Sequence, residues 1–340
     1  MNTERIVLSD ENFDEAIAEA AQIIRAGGLV AFPTETVYGL GANALNAQAA
    51  AKIFEAKQRA LSDPLIVHVA SANALAELTE GECALAAPLI AVFWPGPLTL
   101  VLPRGARIPR IVTAGGEKVA IRMPNHAVAL ALIEAAGVPI AAPSANLFGH
   151  VSPTTAQHVL DDLDGRIDLV LDGGPTPIGV ESTVLDVTTT PPIILRPGGV
   201  TREAIAERLG IRDWRLSDAH QSLISNLQSQ PSPGMLEKHY APNAKLIIVK
   251  NMGEMRSHLS ALIAQHFKVG LLLMAHQQAA FLGHMPSFVL GADLIAAAQN
   301  LYAGLRALDS ADVDMILVTH VEPIGLGEAI ADRLRRAAAK

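Results

Sequence analysis

In a chain whose acids outnumber its bases, five cations stand where short apolar runs or helical patterns end. Lys57 and Arg59 close a helical pattern just before SDPL, Lys118 and Arg122 bracket a strand-like run that stops at Pro124, and Arg196 ends another before ProGlyGly. Strand ends of an α/β sheet are where ligands usually bind. Arginine there offers bidentate hydrogen bonds to carboxylate or phosphate, and lysine adds a point charge. Short polar side chains follow the apolar runs as well: Thr34 and Thr36 in PTETVYG, Ser144 and Asn146 in PSAN, Ser152 in VSPTT, Ser182 and Thr183 in GVEST. Together these types suit a small anionic ligand held by cations, hydroxyls and backbone N–H groups. The plainer reading is solvated surface charge and ordinary turn or cap residues; Ser152 and Thr154 suit the cap of a helix starting near 154.

His68, inside LIVHV, reads more readily as a hydrogen-bonded core residue than as a catalyst. Asp172 before GlyGly, Glu181, and Glu35 between two threonines suit either Mg²⁺ on a nucleotide or turn capping. No P-loop, HExxH or GxSxG occurs. Gly39-Leu-Gly41 and Gly325-Leu-Gly327 lack the third glycine of a dinucleotide fingerprint, so each is a weak phosphate-site signal.

The elements that must position these groups alternate. Phe13, Ile17, Ala20, Ala21 and Ile24 recur at helical steps, closed by Gly27 and Gly28. Further helices are expected near 46–57, 72–79, 84–93, 126–136, 154–163 and 201–209. Strands are expected at 29–32, 65–69, 98–102, 119–122, 139–142, 169–171, 182–187 and 193–195. Such alternation predicts an α/β layer fold, and strands joined without helices predict a mixed sheet. Residues 212–244 have linker composition, although MLEKHYAPNA at their end is richer than a passive spacer needs. From Lys245 a second alternation predicts a smaller Rossmann-like or flavodoxin-like domain. It has strands at LIIV, VGLLLM and MILV and helices near 254–267, 293–308 and 327–338. The expected division is therefore 1–211, a linker over 212–244, and 245–340.

Composition sets the limits. With 340 residues, 50% hydrophobic but only 4% aromatic and 18% charged, the chain holds an aliphatic core large enough to fold. A net charge of −8 argues against coating nucleic acid or anionic lipid. Apolar runs are strand-length, no signal peptide is visible, and Cys83 is the sole cysteine; a soluble cytoplasmic protein without a disulfide framework is expected.

Taken in order, KxR at Lys57 to Arg59, SAN at Ser144 to Asn146, and GGLVAFPTETVYGLGANA, DPLIVHV, FWPGPLT, VAIRMP, GVESTVLD and ILRPG resemble the YrdC-like family over about Gly27 to Gly199. SPGMLEKHYAP and the C-terminal region resemble its longer, two-domain form. The resemblance implies a mixed, twisted sheet with helices around a concave pocket. It also implies an activity: L-threonine, bicarbonate and ATP (with Mg²⁺) yield threonylcarbamoyl-AMP and pyrophosphate. A separate transfer system then passes the threonylcarbamoyl group to tRNA. Position by position, Thr36, His68, Arg122 and Ser182 match the family's threonine site, with Ala142 offering backbone. Arg59, Lys118, Ser144, Ser152 and Arg196 match ATP positions, Lys57 and Asn146 belong to the same signature, and Lys57, Arg59 and Arg122 are the expected catalytic cations. Asp63 stands where the family commonly has asparagine, which puts its ATP contact in question. Ser232, Gly234, His239 and Tyr240 match a segment that folds back over the pocket in the family. Three anionic reactants repel one another in water, and a cationic pocket offsets that, so no covalent nucleophile is required. The alternative carried by the same resemblance is an RNA-binding or ribosome-assembly module, which the net charge disfavours. Carbamoyl-phosphate-dependent adenylation, as in hydrogenase-maturation proteins, goes with cysteine clusters that this chain lacks.

Overall fold

The computed structural model describes residues 2–81, 83–211, 240–281 and 285–339. They divide into two compact units, the first of residues 2–148, 153–176 and 181–211, the second of 149–152, 177–180 and 240–339.

In the first unit ten strands form one mixed sheet. They are β1 (Glu4–Val7), β2 (Val30–Phe32), β3 (Gly39–Asn43), β4 (Ile66–His68), β5 (Leu98–Pro103), β6 (Lys118–Arg122), β7 (Ile140–Ala141), β8 (Leu169–Asp172), β9 (Thr183–Asp186) and β10 (Ile193–Arg196). Their order across the sheet is β1-β8-β2-β3-β7-β4-β6-β5-β9-β10. The helices are α1 (Phe13–Arg25), α2 (Ala47–Lys57), α3 (Leu75–Leu78), α4 (Ala86–Phe93), α5 (Ala127–Ala136), α6 (Ala156–Leu163) and α7 (Arg202–Leu209).

The strand period of two sorts side chains between the faces. Val30 and Phe32 of β2, and Leu169 and Leu171 of β8, join the cluster built by α1 and α5. The intervening Ala31 and Val170 enter the opposite cluster with α2, α4 and α6. On α1 the residues at helical spacing, Ala16, Ile17, Ala20, Ala21 and Ile24, are the buried ones. Each buried isoleucine there contributes roughly 1.5–3 kcal/mol of transfer free energy.

Two local details become clear. Gly39-Leu-Gly41, a weak phosphate signal in the sequence, lies within β3, where a Cβ on Gly41 would meet Phe32 Cε1 at 2.7 Å and Ile140 Cγ2 at 2.8 Å. Glycine lets the β2, β3 and β7 side chains close over that strand. The cap of α6 is Thr155, whose hydroxyl accepts from the His158 N–H at 3.3 Å; it is neither Ser152 nor Thr154.

The second unit is a four-stranded parallel sheet in the order β11-β14-β12-β13, made of β11 (Lys245–Val249), β12 (Val269–Met274), β13 (Ser287–Gly291) and β14 (Met315–Thr319). Its helices are α8 (Met252–Ala264), α9 (Ala275–Gln278), α10 (Leu294–Ser310) and α11 (Leu326–Ala338). Arg333 of α11 is fully buried, with its guanidinium 5.0 Å above the Tyr240 ring. Tyr240 in turn stacks on Tyr302 at 5.8 Å. Asp332 binds Arg333 and Arg335 at 2.7 Å and Arg336 at 2.9 Å. Burial would raise its carboxyl pKa, but these guanidinium groups outweigh it and hold it below the usual range. Among the described residues, no helix is long and apolar enough to cross a membrane.

Candidate active site

One sheet face of the first unit carries the polar strand ends. Ile66 and Ala120 lie in one apolar cluster, so the period of two puts His68 and Arg122 on that face, paired across β4 and β6. Val101 and Val184 of the same cluster likewise bring Thr99 and Ser182 there. All four sit at the same sheet end, where β4 and β6 finish and β5 and β9 begin.

Arg122 is the centre of the first group. It is buried, donates from Nη1 to Thr36 Oγ1 at 2.9 Å and from Nε to Gly96 O at 3.3 Å, and pairs through Nη2 with the Glu35 carboxylate. The loop after β2 delivers both partners. Its Thr34 hydroxyl meets Thr36 Oγ1 at 2.8 Å and donates to Val37 O at 2.7 Å, folding the loop on itself. His68 Nδ1 lies 3.2 Å from Ile66 O, and its ring meets Phe32 edge-on. Burial, then the Arg122 charge, push its pKa down to about 3, so the imidazole is neutral at physiological pH.

Ser182 and Arg196 form the adjoining group. Ser182 Oγ lies 2.7 Å from Thr99 Oγ1, and Arg196 donates to Ser182 O from Nε at 3.2 Å and from Nη2 at 3.0 Å. The glycine of ProGlyGly makes this possible: a Cβ on Gly198 would stand 2.3 Å from Glu181 O and 2.4 Å from Ser182 C. The loop before β5 ties the two groups together. Gly96 O accepts from Arg122, and Pro97 O accepts the Thr183 N–H at 3.0 Å.

A third group gathers at the end of α2. Asn46 caps that helix by accepting from the Gln48 and Ala49 N–H groups. At its other end Gln58 turns left-handed (φ 53°), which sends Arg59 back toward the body. Lys57 is buried, and its Nζ donates to Ser144 O at 2.6 Å, to Asn146 O, and weakly to Asn146 Oδ1 at 3.5 Å. Burial and then the neighbouring Arg59 charge pull its pKa well below the ordinary lysine range, against the opposing pull of the Asp162 and Asp63 carboxylates. Lys57 thus directs its donors to the PSAN turn. Ser144 Oγ donates to Asn146 Oδ1 at 2.6 Å, and Leu40 N donates to Pro143 O, so β3 seats the same turn beside Ala142. Arg59 pairs with Asp63 at 2.8 Å, donates to the Asp63 and Pro64 carbonyls, and lies over the Phe148 ring. The carboxylate at position 63 therefore stands against a guanidinium that can balance its charge.

The remaining expected residues are placed differently. Lys118 opens β6 while Arg122 closes it, a separation of about 13 Å along the strand, and its ammonium is paired with Asp186 at 2.8 Å. Ser152 and Tyr240 are buried within the second unit. Ser232, Gly234 and His239 lie outside the described residues. Asp172 is engaged by Arg5 at 2.6 Å and by the Gly174 N–H at 3.0 Å. Thr99 and Gly96 do not stand out in the sequence as single residues; the FWPGPLT motif that contains them is the available signal.

The arrangement places guanidinium donors, hydroxyls and a neutral imidazole at one sheet end, which suits a ligand bearing a carboxylate and a hydroxyl. Comparison with known proteins narrows this. The Sua5/YciO/YrdC family model, described as telomere recombination, matches residues 22–198. The model described as threonylcarbamoyl-AMP synthase, C-terminal domain, matches residues 200–339. The chain is 46% identical to a threonylcarbamoyl-AMP synthase of Pyrococcus abyssi over 323 residues, 94% of this chain and 92% of that one. It is 48% identical to the threonylcarbamoyl-AMP synthase of Bacillus subtilis over 331 residues, 96% and 93% of the two chains. Among solved structures, P. abyssi Sua5 complexed with L-threonine aligns with a TM-score of 0.89 at 43% identity, covering 99% of this chain and 98% of that one.

Proposed function

The chain belongs to the Sua5/YciO/YrdC family in its two-domain, threonylcarbamoyl-AMP synthase form, and from that premise we propose that it joins L-threonine, bicarbonate and ATP into threonylcarbamoyl-AMP, releasing pyrophosphate. The observation that carries the reading is Arg122, a buried guanidinium fixed by Thr36, Gly96 and Glu35 at a sheet end, with donors left over on both terminal nitrogens. Such a group grips a carboxylate in one orientation.

In this scheme Arg122 holds the threonine carboxylate, and neutral His68 and the Ser182–Thr99 pair offer hydrogen bonds to its hydroxyl. The α-amine attacks the carbon of CO₂, whose C–O π pair moves onto oxygen while an amine proton passes to solvent, or that of bicarbonate, from which water leaves; either way the N–C bond of a carbamate forms. A carbamate oxygen then attacks the α-phosphorus of ATP; that O–P bond forms as the bond to the β-phosphate oxygen breaks, and pyrophosphate leaves with the electron pair. Cations oriented before the reaction stabilise the charge that develops on phosphorus. Arg59 and Arg196 supply that charge to the nucleotide, and Lys57 shapes the PSAN turn that Ser144 belongs to. Neutral, with burial and the Arg122 charge holding its pKa near 3, His68 is suited to orient substrate.

Among the described residues no three Asp, Glu, His or Cys side chains gather to hold a metal. A divalent ion arriving with ATP would be held chiefly by the nucleotide's phosphates, with at most one or two carboxylates of the chain. The relatives' names favour the enzymatic reading over RNA binding. The test is product identification: the purified protein with the three reactants and Mg²⁺ should form a compound with the mass of threonylcarbamoyl-AMP. An Arg122→Ala variant should lose most of it; a variant that forms the product as fast as wild type would contradict the assignment.

A further inference from the structure

Glu35 is a buried charged group beside Arg122 to which the threonine-binding scheme gives no contact with substrate. Its side chain is 5% exposed, and Oε2 faces the Arg122 guanidinium. No donor among the described residues hydrogen-bonds Oε1. A second group near it is similarly placed: His126 Nδ1 also lacks a hydrogen-bond partner among the described residues. A buried carboxylate oxygen without a donor is costly, and native structures keep few of them without a reason.

The position supplies one. An α-amino acid carries its ammonium on the carbon next to its carboxylate. If the carboxylate lies on the terminal nitrogens of Arg122, the ammonium falls beside whatever adjoins that guanidinium. On this face the adjoining acceptor is Glu35, brought there by the loop whose next residue, Thr36, accepts from Arg122 at 2.9 Å. Arg122 and Glu35 thus present a cation and an anion side by side, complementary to the zwitterionic end of an amino acid.

Resting on the threonine reading, we propose that Glu35 is a specificity residue whose Oε1 accepts a charge-assisted hydrogen bond from the substrate's α-ammonium, so that the site selects an α-amino acid over the same acid without its amine. A pure counter-ion for Arg122 would serve any carboxylate equally; Glu35 in the proposed role favours only those carrying the amine. A charge-assisted bond of this kind is worth roughly ten- to a hundredfold in affinity.

The test is calorimetric binding of two ligands to the full chain: L-threonine and 3-hydroxybutanoate, which keeps the carboxylate and hydroxyl and has hydrogen in place of the amine. Wild type should prefer threonine by at least about tenfold, and Glu35→Gln should bring the two affinities close together. A wild-type ratio near one overturns the proposal without any variant. So does a Glu35→Gln protein that weakens both ligands alike and keeps the ratio, since that is the behaviour of a residue that only steadies Arg122. Should the glutamine variant not fold, the wild-type ratio and Glu35→Asp, which keeps the charge but withdraws it by one methylene, carry the test; an undiminished ratio in Glu35→Asp counts against the proposal. Failure of wild type to bind threonine at all would overturn the substrate reading, and this inference with it.

Discussion

Replacing Arg122 by methionine tests the electrostatics of the site apart from its chemistry. Methionine fills much of the volume but removes the cation, leaving the Glu35 carboxylate buried with no counter-charge in hydrogen-bonding range among the described residues. It also takes away the donors to Thr36 Oγ1 and Gly96 O. Breaking a buried pair by removing one partner costs about 3–5 kcal/mol, because the survivor is an uncompensated charge. For a unit of this size each kcal/mol moves the melting temperature by about 2–4 °C, so a drop of roughly 6–20 °C is expected. Adding Glu35→Gln should then restore most of the loss, since a buried pair replaced as a whole by neutral groups is often nearly neutral in stability. Thermal unfolding followed by near-UV circular dichroism measures this directly, since Trp94 lies buried in the same unit. A double variant that melts no higher than Arg122→Met alone would refute the view that Glu35 and Arg122 neutralise each other. Activity should not return with stability, as the carboxylate clamp is still missing.

Lys57→Met should destabilise the protein by about 2–4 kcal/mol in denaturant unfolding, because the Ser144 and Asn146 carbonyls lose a buried donor; Lys57→Arg should recover part of it. Gly198→Ala should cost about 1–3 kcal/mol and most of the activity, since the new Cβ meets backbone at Glu181 and Ser182 that cannot step aside cheaply; melting and turnover of the variant check both. His68 has a folded pKa near 3, against about 6.5 when unfolded. Its contribution is therefore fully present above pH ~6.5 and is lost as pH falls toward 3, by up to about 1.4 kcal/mol per pH unit. Melting temperatures of His68→Gln should accordingly fall less steeply over that window than those of wild type.

Much of the first unit is legible in order along the chain. The helical steps from Phe13 to Ile24 and the apolar runs ending in His68, Arg122 and Arg196 mark the elements and the strand ends, because burial on one face imposes a period that sequence retains. β3 is hidden: its glycines carry only a weak phosphate-site signal and no strand pattern, whereas Gly41 is there for the close approach of Phe32 and Ile140. Pairings across long separations are hidden too. Nothing local says that Lys118 answers Asp186, 68 residues on, or that Arg122 answers Thr36, 86 residues back. Lys57 shows the same limit. Its type and place at a helix end suggest a cation for phosphate, and only the fold reveals that the Ser144–Asn146 turn consumes its donors.

The central claim is that one site joins three reactants, and pyrophosphate release with each reactant withheld in turn tests it most directly. Release should require ATP, L-threonine and bicarbonate together, and should collapse when any one is omitted or when Arg122 is replaced by alanine. Steady release without threonine, or without bicarbonate in degassed buffer, would contradict the carbamate route and with it the roles of Arg122, His68 and Ser182 in holding the amino acid.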